Sequence, residues 1–173
     1  MPIITNQNIW AVPLLIVWLL LIVKGGRRGR IAAVVLLVAV GLTDIIAAQV
    51  IKPLVGRLRP SHSMPDLINL LVRRGGKYGF VSNHAANMFA AATVLGYFYE
   101  RWRKGLFMLA AVVAFSRVYV GVHYPGDVLA GAAFGYLVAW IILTGWVLIK
   151  MRELKRGRTW VWYAGPAGDL PVN

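Results

Sequence analysis

Cysteine is absent from the 173 residues of this chain, which excludes a disulfide framework and a metal site built on thiolates. Acidic residues are scarce, since six Asp and Glu stand against 19 Lys and Arg, and the formal net charge is +13. Charged residues make up only 14% of the chain, whereas hydrophobic residues make up 59%. Soluble domains contain roughly 25% charged residues. The composition therefore predicts a membrane protein, and the length suits a single domain over 1–173.

Five long apolar runs account for this composition. They lack the alternation of β-strands, and a chain in lipid satisfies its backbone amides by forming helices. Because about 20 apolar residues cross a bilayer, we expect an all-α integral membrane protein with a bundle of about five transmembrane helices. The first run follows no basic segment, so we expect a retained span rather than a cleaved signal peptide. The predicted spans are Ile9–Val23, Ile31–Ile51, Ser82–Tyr99, Leu106–Val122 and Val128–Ile149.

The positive charges are distributed unevenly among the connectors. Twelve Lys and Arg residues lie in the first connector (24–30), the third connector (100–104) and the segment from residue 150 onward. The other seven lie on the opposite side. Because cytoplasmic loops carry the larger share of these residues, we expect the N-terminus and the long connector 52–81 outside the cytoplasm. We expect the cations to orient the spans in the lipid bilayer, with no nucleic acid as partner. Within the long connector, Met64–Val72 fits a short interfacial amphipathic helix or an ordinary loop helix.

Three polar clusters fall on the side of the long connector. A helix that begins after Ser82 would point its unpaired amide groups at an anion. Cations converge on one point without severe repulsion only when an anion lies between them, and phosphate has the required charge and acceptor oxygens. The sequence therefore predicts a phosphate site. The three clusters consist of Lys52 and Arg59, of Ser82, Asn83 and His84, and of Ser116, Arg117, His123 and Asp127.

The third cluster also contains a candidate nucleophile. Its turn, 124–127, is typical of a helix start with Pro125 at the first helical position. Asp127 lies four residues after His123 and can accept a hydrogen bond from one ring nitrogen, which leaves the other nitrogen with a free lone pair. Such a nitrogen can attack phosphorus or bind a metal, and two histidines with an aspartate could bind zinc. Because the clustered cations would repel a divalent ion, we expect neither a metal nor a cofactor.

In order and spacing, the clusters resemble the motifs of the type 2 phosphatidic acid phosphatase superfamily. That group includes bacterial lipid phosphate phosphatases, soluble acid phosphatases and vanadium haloperoxidases. Its first motif is Lys, six residues and Arg-Pro, and its third is Ser-Arg, five residues, His, three residues and Asp. Both match in full, at 52–60 and 116–127. The second motif is usually Pro-Ser-Gly-His, whereas this chain has Val81-Ser82-Asn83-His84, so the geometry of that loop stays open.

The resemblance implies metal-independent dephosphorylation of a membrane lipid phosphate or diphosphate through a phosphohistidine intermediate. In that scheme His123 attacks phosphorus and Asp127 orients it, while His84 protonates the leaving oxygen and then activates water. The candidate substrates are lipid A 1-phosphate, undecaprenyl diphosphate and phosphatidylglycerophosphate, reached from the extracytoplasmic side of a bacterial inner membrane. The residues expected to bind phosphate are Lys52, Arg59, Ser82, Asn83 and Arg117.

Several polar residues outside the motifs have two interpretations. Asp44, inside the second apolar run, either partners an active-site cation or makes a helix-to-helix hydrogen bond. The pair Gly131 and Gly135 predicts close helix packing. The alternatives to an enzyme of this class are a transporter, a lipid-binding protein without activity and a vanadate-dependent haloperoxidase. Four cations either contact a large head group or form a solvated basic loop; they are Arg57, Arg73, Arg74 and Lys77.

Overall fold

The computed structural model describes residues 7–64, 70–72 and 75–161, and these ranges are mainly helical. Between the helices, one antiparallel bridge joins Leu58 to Tyr78. A π-helical turn, Ile46–Ile51, connects the second and third helices, and a 3₁₀ turn, Glu100–Trp102, precedes the sixth. The α-helices are α1 (Gln7–Val23), α2 (Gly26–Ile45), α3 (Lys52–Val55), α4 (Pro60–Ser63), α5 (Asn83–Phe98), α6 (Arg103–Tyr119) and α7 (Pro125–Lys155).

The helix ends follow from local sequence. Pro125 occupies the first turn of α7, as predicted, because its fixed φ suits a helix start and its missing N–H would have no partner there. The predicted run 106–122 has the right length but lies three residues too late, since α6 spans Arg103–Tyr119 and Gly121 turns the chain with φ of 77°. Gly56, with φ of 63°, ends α3 and donates its N–H to the carbonyl of Lys52 at 3.0 Å.

Within the part of the chain that the structure describes, two helical segments are long and apolar enough to cross a membrane, namely Gly26–Val55 with 30 residues and Pro125–Lys155 with 31. Apolar side chains stay on their outer surface, for example Leu129, which is 71% exposed. Such a surface is costly in water and favourable in lipid. The other long helices, α1, α5 and α6, have 17, 16 and 17 residues. The count of five spans therefore stays a prediction.

Helix α5 lies at the centre of the bundle and packs against α2, α6 and α7. The contact with α7 is close because that helix presents glycines to α5. A Cβ atom on Gly131 would lie 2.6 Å from the carbonyl oxygen of Ser82, and one on Gly135 would overlap the backbone of Ala86. The predicted close packing at these glycines is confirmed. Its consequence is that the starts of α5 and α7 lie side by side.

The basic connectors gather at one end of the bundle. Arg27 Nη1 donates to the carbonyl of Thr159 at 2.8 Å, which joins the first connector to the segment after α7. The Arg28 guanidinium lies 4.7 Å from the ring centre of Tyr99, which joins the same connector to the third. Most of the predicted interfacial helix, 65–69, lies outside the described residues, and its described remainder, 64 and 70–72, is not helical.

Candidate active site

The structure brings the first and second clusters together, and the second and third. Lys52 Nζ donates a hydrogen bond to Asn83 Oδ1. The backbone N–H of Ser82 donates to the carbonyl oxygen of Asp127 at 3.0 Å. His84 lies close enough to Lys52, Arg59, Arg117 and His123 to interact electrostatically with each of them. Segments separated by up to 75 residues in sequence thus share one site.

The candidate nucleophile has a fixed orientation. His123 Nδ1 lies 3.6 Å from Asp127 Oδ2, and the two residues are 3% and 0% exposed. The same carboxylate oxygen accepts the backbone N–H of Tyr124 at 3.1 Å, so the start of α7 holds the carboxylate in place. Because Nδ1 faces the carboxylate, Nε2 is the nitrogen left with a lone pair for chemistry.

The environment keeps this imidazole neutral. Burial is the main cause that lowers the pKa of His123 to about 4, and the charges of Arg59 and Arg117 lower it further. The nearby Asp127 carboxylate opposes the shift. A neutral ring carries the lone pair that nucleophilic attack requires, so His123 is in its reactive protonation state at neutral pH.

Arg59 is held by the segment 75–79. Its backbone N–H donates to the carbonyl of Lys77 at 3.1 Å, and its Nε donates to the carbonyl of Tyr78, also at 3.1 Å. Gly75 lies so close that a Cβ atom there would be 2.6 Å from Arg59 Nη1. His62 Nε2 lies 3.0 Å from the carbonyl oxygen of Gly75 and supports this segment. The three motifs gave no indication that this segment supports Arg59. The consecutive glycines Gly75 and Gly76, next to basic residues in the sequence, were a possible signal.

Ser82 lies at the N-cap position of α5, as its sequence context predicted, but its side chain does not cap the helix. The hydroxyl is buried and has no hydrogen-bond partner within the described ranges. The first N–H groups of α5 also lack helical partners, because a helix leaves its first turn unpaired. A buried hydroxyl, open amides and the positive end of a helix dipole together favour an anion at this point.

Arg117 completes the cationic lining from the end of α6. It is only 8% exposed, and burial of a guanidinium is rare unless a counter-charge or hydrogen bonds compensate it. The turn at Gly121 then folds the chain back, so the N–H of His123 donates to the Arg117 carbonyl at 3.3 Å. The five-residue spacing between this Arg and His thus corresponds to one compact turn.

The basic residues expected at the head group are in different environments. Arg57 Nη1 lies 3.2 Å from Asp127 Oδ1, and the guanidinium is 4.5 Å from the ring centre of Tyr124. Arg57 is therefore a partner of the Asp127 carboxylate in this structure. Lys77 is exposed and lies 5.8 Å from the ring centre of Tyr78. The other two, Arg73 and Arg74, lie outside the described residues.

Asp44 makes the helix-to-helix hydrogen bonds that the sequence left as one of two alternatives. Its Oδ1 accepts the side-chain amides of Asn83 and Asn87, both at 2.8 Å. Because Asn83 in turn accepts from Lys52, the carboxylate is also linked to a site cation. Sequence reasoning missed Asn87, which could have been found from its spacing of four residues after Asn83.

The hydrogen-bond donors around the two histidines are cationic side chains. Across the described parts of the chain, no three His, Cys, Asp or Glu side chains are grouped as they would be around a metal ion. His84, His123 and the first turn of α5 instead face ammonium and guanidinium groups. The site thus has the features of an oxyanion site that contains a candidate histidine nucleophile, built at the ends of apolar helices.

Comparison with known proteins agrees with this class. The chain belongs to the PAP2 superfamily, whose sequence model matches residues 32–150. It is 42% identical over 114 residues to a lipid A 4'-phosphatase of Bacteroides thetaiotaomicron, covering 60% of this chain and 51% of the relative. It is 34% identical over 124 residues to an undecaprenyl-diphosphatase of Sulfolobus acidocaldarius, covering 71% and 58%.

A solved structure shares this fold as well. It is a transmembrane PAP2-type phosphatidylglycerolphosphate phosphatase from Bacillus subtilis, with a TM-score of 0.51 and 26% sequence identity. The match covers 73% of this chain and 62% of that one. The chain spans about half the length of the curated relatives it matches.

Proposed function

We propose that this chain is an integral membrane phosphatase that hydrolyses a lipid phosphate or diphosphate through phosphohistidine at His123. The observation that carries the proposal is the His123 imidazole, with Nδ1 directed at Asp127 and with cations on the remaining sides of the site. A phosphoryl group between them would meet a nucleophile and positive charge together. Phosphoryl transfer depends mainly on such positioning and charge stabilisation.

The first half-reaction forms the intermediate. His123 Nε2 attacks phosphorus and the bond from phosphorus to the lipid oxygen breaks, while His84, protonated beside the bound phosphate anion, donates its proton to that leaving oxygen. Lys52, Arg59 and Arg117 stabilise the charge on the non-bridging oxygens. The Asp127 carboxylate stabilises the positive imidazolium that attack produces, because it accepts from Nδ1.

The second half-reaction restores the enzyme. His84, now neutral, removes a proton from water, and the hydroxide attacks phosphorus as the bond to Nε2 breaks. Inorganic phosphate leaves, and the His123 ring is again neutral. The cations perform the electrostatic role that metal ions have in other phosphoryl-transfer enzymes, so the scheme requires no metal.

The substrate class is a lipid because the site lies at the ends of apolar helices. We propose about five spans in a bacterial inner membrane, with the site on the extracytoplasmic side, where a lipid can enter from the bilayer. The named relatives act on lipid A, undecaprenyl diphosphate and phosphatidylglycerolphosphate. These names support a phosphorylated lipid, and the 4'-phosphate of lipid A joins the three candidates that the motifs suggested.

A phosphate-release panel tests the proposal. Purified protein in detergent is assayed with lipid A 1-phosphate, lipid A 4'-phosphate, undecaprenyl diphosphate, phosphatidylglycerophosphate and a water-soluble phosphate ester. We expect release from at least one lipid and an acid-labile, alkali-stable phosphoprotein at His123. We expect His123→Ala to abolish both while the protein still folds, as a cooperative thermal transition would show. Release by that variant at the wild-type rate would refute the mechanism.

Two further arms address the alternatives. EDTA should leave phosphate release intact, and loss that zinc or magnesium restores would establish a metal enzyme. Solute flux in liposomes without phosphate release would establish a transporter, and bromide oxidation with vanadate would establish a haloperoxidase. Lipid binding that His123→Ala leaves unchanged, with no release by any form, would establish a protein without catalytic activity.

A further inference from the structure

A polar network behind the site joins α2 to the start of α5. Asp44 Oδ1 accepts Nδ2 of Asn83 and Nδ2 of Asn87, both at 2.8 Å. The two asparagines are four residues apart, so they project from one face of α5 toward the same carboxylate. Because one carboxylate oxygen accepts both amide N–H groups, the Asp44 side chain has little freedom to rotate.

This network determines which way the Asn83 amide points. Because Nδ2 donates to Asp44, the carbonyl Oδ1 must face the opposite direction, where it accepts from Lys52 Nζ. Rotating the amide by half a turn would place its NH₂ group against the Lys52 ammonium and its oxygen against the carboxylate. Both contacts would then be repulsive.

The backbone between Asp44 and Lys52 supports the same arrangement. In a regular α-helix, a separation of eight residues leaves two side chains about 80° apart around the axis. The intervening turn, Ile46–Ile51, is π-helical, and such a turn accommodates about one extra residue. The eight-residue separation then behaves like seven, which brings both side chains to nearly the same face.

Lys52 needs such an anchor because two neighbouring guanidinium groups repel its ammonium. It is repelled by Arg59 and Arg117 and attracted by Asp44 and Asp127. A long lysine side chain also has many rotamers, and fixing one of them costs entropy. The usual residue of the second motif, glycine, has no side chain and cannot make the link that Asn83 makes.

We propose that Asp44 and Asn87 are positioning residues that orient the Asn83 amide, so that its oxygen holds the Lys52 ammonium at the oxyanion site. The inference rests on the proposed function, in which Lys52 binds the phosphate. Asp44 touches neither substrate nor nucleophile and acts through Asn83. In this chain the replacement of glycine by Asn83 adds a side-chain link from the membrane helix α2 to the site.

A double-mutant cycle tests the inference with orthovanadate as the probe. Its affinity is measured from the rise in thermal midpoint of detergent-solubilised protein, independently of turnover. We expect Asp44→Asn to weaken orthovanadate about tenfold, because a charge-assisted hydrogen bond is lost. Lys52→Gln should weaken it at least as much. The double variant should bind orthovanadate no more weakly than Lys52→Gln alone.

Thr43→Val is the matched control. Thr43 precedes Asp44 on α2, and its hydroxyl donates only to the carbonyl of Ala39, at 2.7 Å, among the hydrogen bonds of the described residues. The variant loses a buried polar group in the same helix and should bind orthovanadate like the wild type. Asn83→Gly should resemble Asp44→Asn, because it removes the same link from its other side.

Three outcomes would overturn the inference. Additive effects of Asp44→Asn and Lys52→Gln would show that the carboxylate does not act through the lysine. A lower thermal midpoint with unchanged orthovanadate affinity would assign the network to stability alone. No orthovanadate binding by the wild type would remove the oxyanion that Lys52 is proposed to hold. Orthovanadate binding without phosphate release would instead refute the proposed function, while the cycle would still decide the role of Asp44.

Discussion

The contact between α5 and α7 gives the sharpest prediction. A methyl group added by Gly131→Ala would lie 2.6 Å from the Ser82 carbonyl oxygen, 3.3 Å from the Ser82 nitrogen and 3.4 Å from the Ala85 side chain. The first of these distances is far inside ordinary contact, which begins near 3.4 Å. Because the obstructing atom is backbone, the two helix starts must separate by several tenths of an ångström.

That separation acts directly on the site. Ser82 begins the helix that carries His84, and its N–H binds the carbonyl of Asp127 at 3.0 Å. Overpacking of this kind costs about 1–3 kcal/mol of stability. A misplacement approaching 1 Å can reduce catalysis by about a hundredfold. We therefore expect Gly131→Ala to lower kcat/KM by about ten- to a hundredfold and to lower the thermal midpoint.

Gly145→Ala is the control on the same helix, since a Cβ atom there meets nothing within 4 Å. Replacing a helical glycine by alanine stabilises by roughly 0.5–1 kcal/mol when space is available. This variant should keep full activity with an equal or higher midpoint. The assay is phosphate release in detergent, paired with thermal unfolding of the same samples. Wild-type activity and stability in Gly131→Ala would show that the helix starts do not depend on this close approach.

Two further predictions concern the charges around His123. Because the folded-state pKa of His123 is about 4 and an ordinary histidine has about 6.5, the unfolded chain binds a proton first as pH falls. The thermal midpoint should thus decrease as the pH falls from 6.5 toward 4, and it should decrease less in His123→Ala. Equal decreases in the two proteins would contradict a neutral buried ring. Arg57→Gln should reduce phosphate release from the lipid and from the water-soluble ester by the same factor, because Arg57 contacts Asp127. A loss confined to the lipid would instead make Arg57 a head-group contact.

The sequence alone was sufficient for the class of protein, and it supplied the candidate residues of the site. Long apolar runs without alternation have one low-energy form in lipid, which is the helix, so the order of helices could be predicted. The motif spacings also have local causes, such as the proline that begins α7 and the compact turn from Arg117 to His123. Local rules of this kind depend on neighbours in sequence and can be applied before folding.

The tertiary structure decided which polar groups meet. The sequence left Asp44 between two roles, and only the crossing of α2 with α5 places it against Asn83 and Asn87. The sequence left Arg57 between a head-group contact and a solvated loop, yet the fold brings it to Asp127. The π-helical turn before Lys52 was also not predicted. The contacts of Asp44 and Arg57 depend on the distance and rotation between segments that are remote in sequence, and helix periodicity carries no information about either quantity.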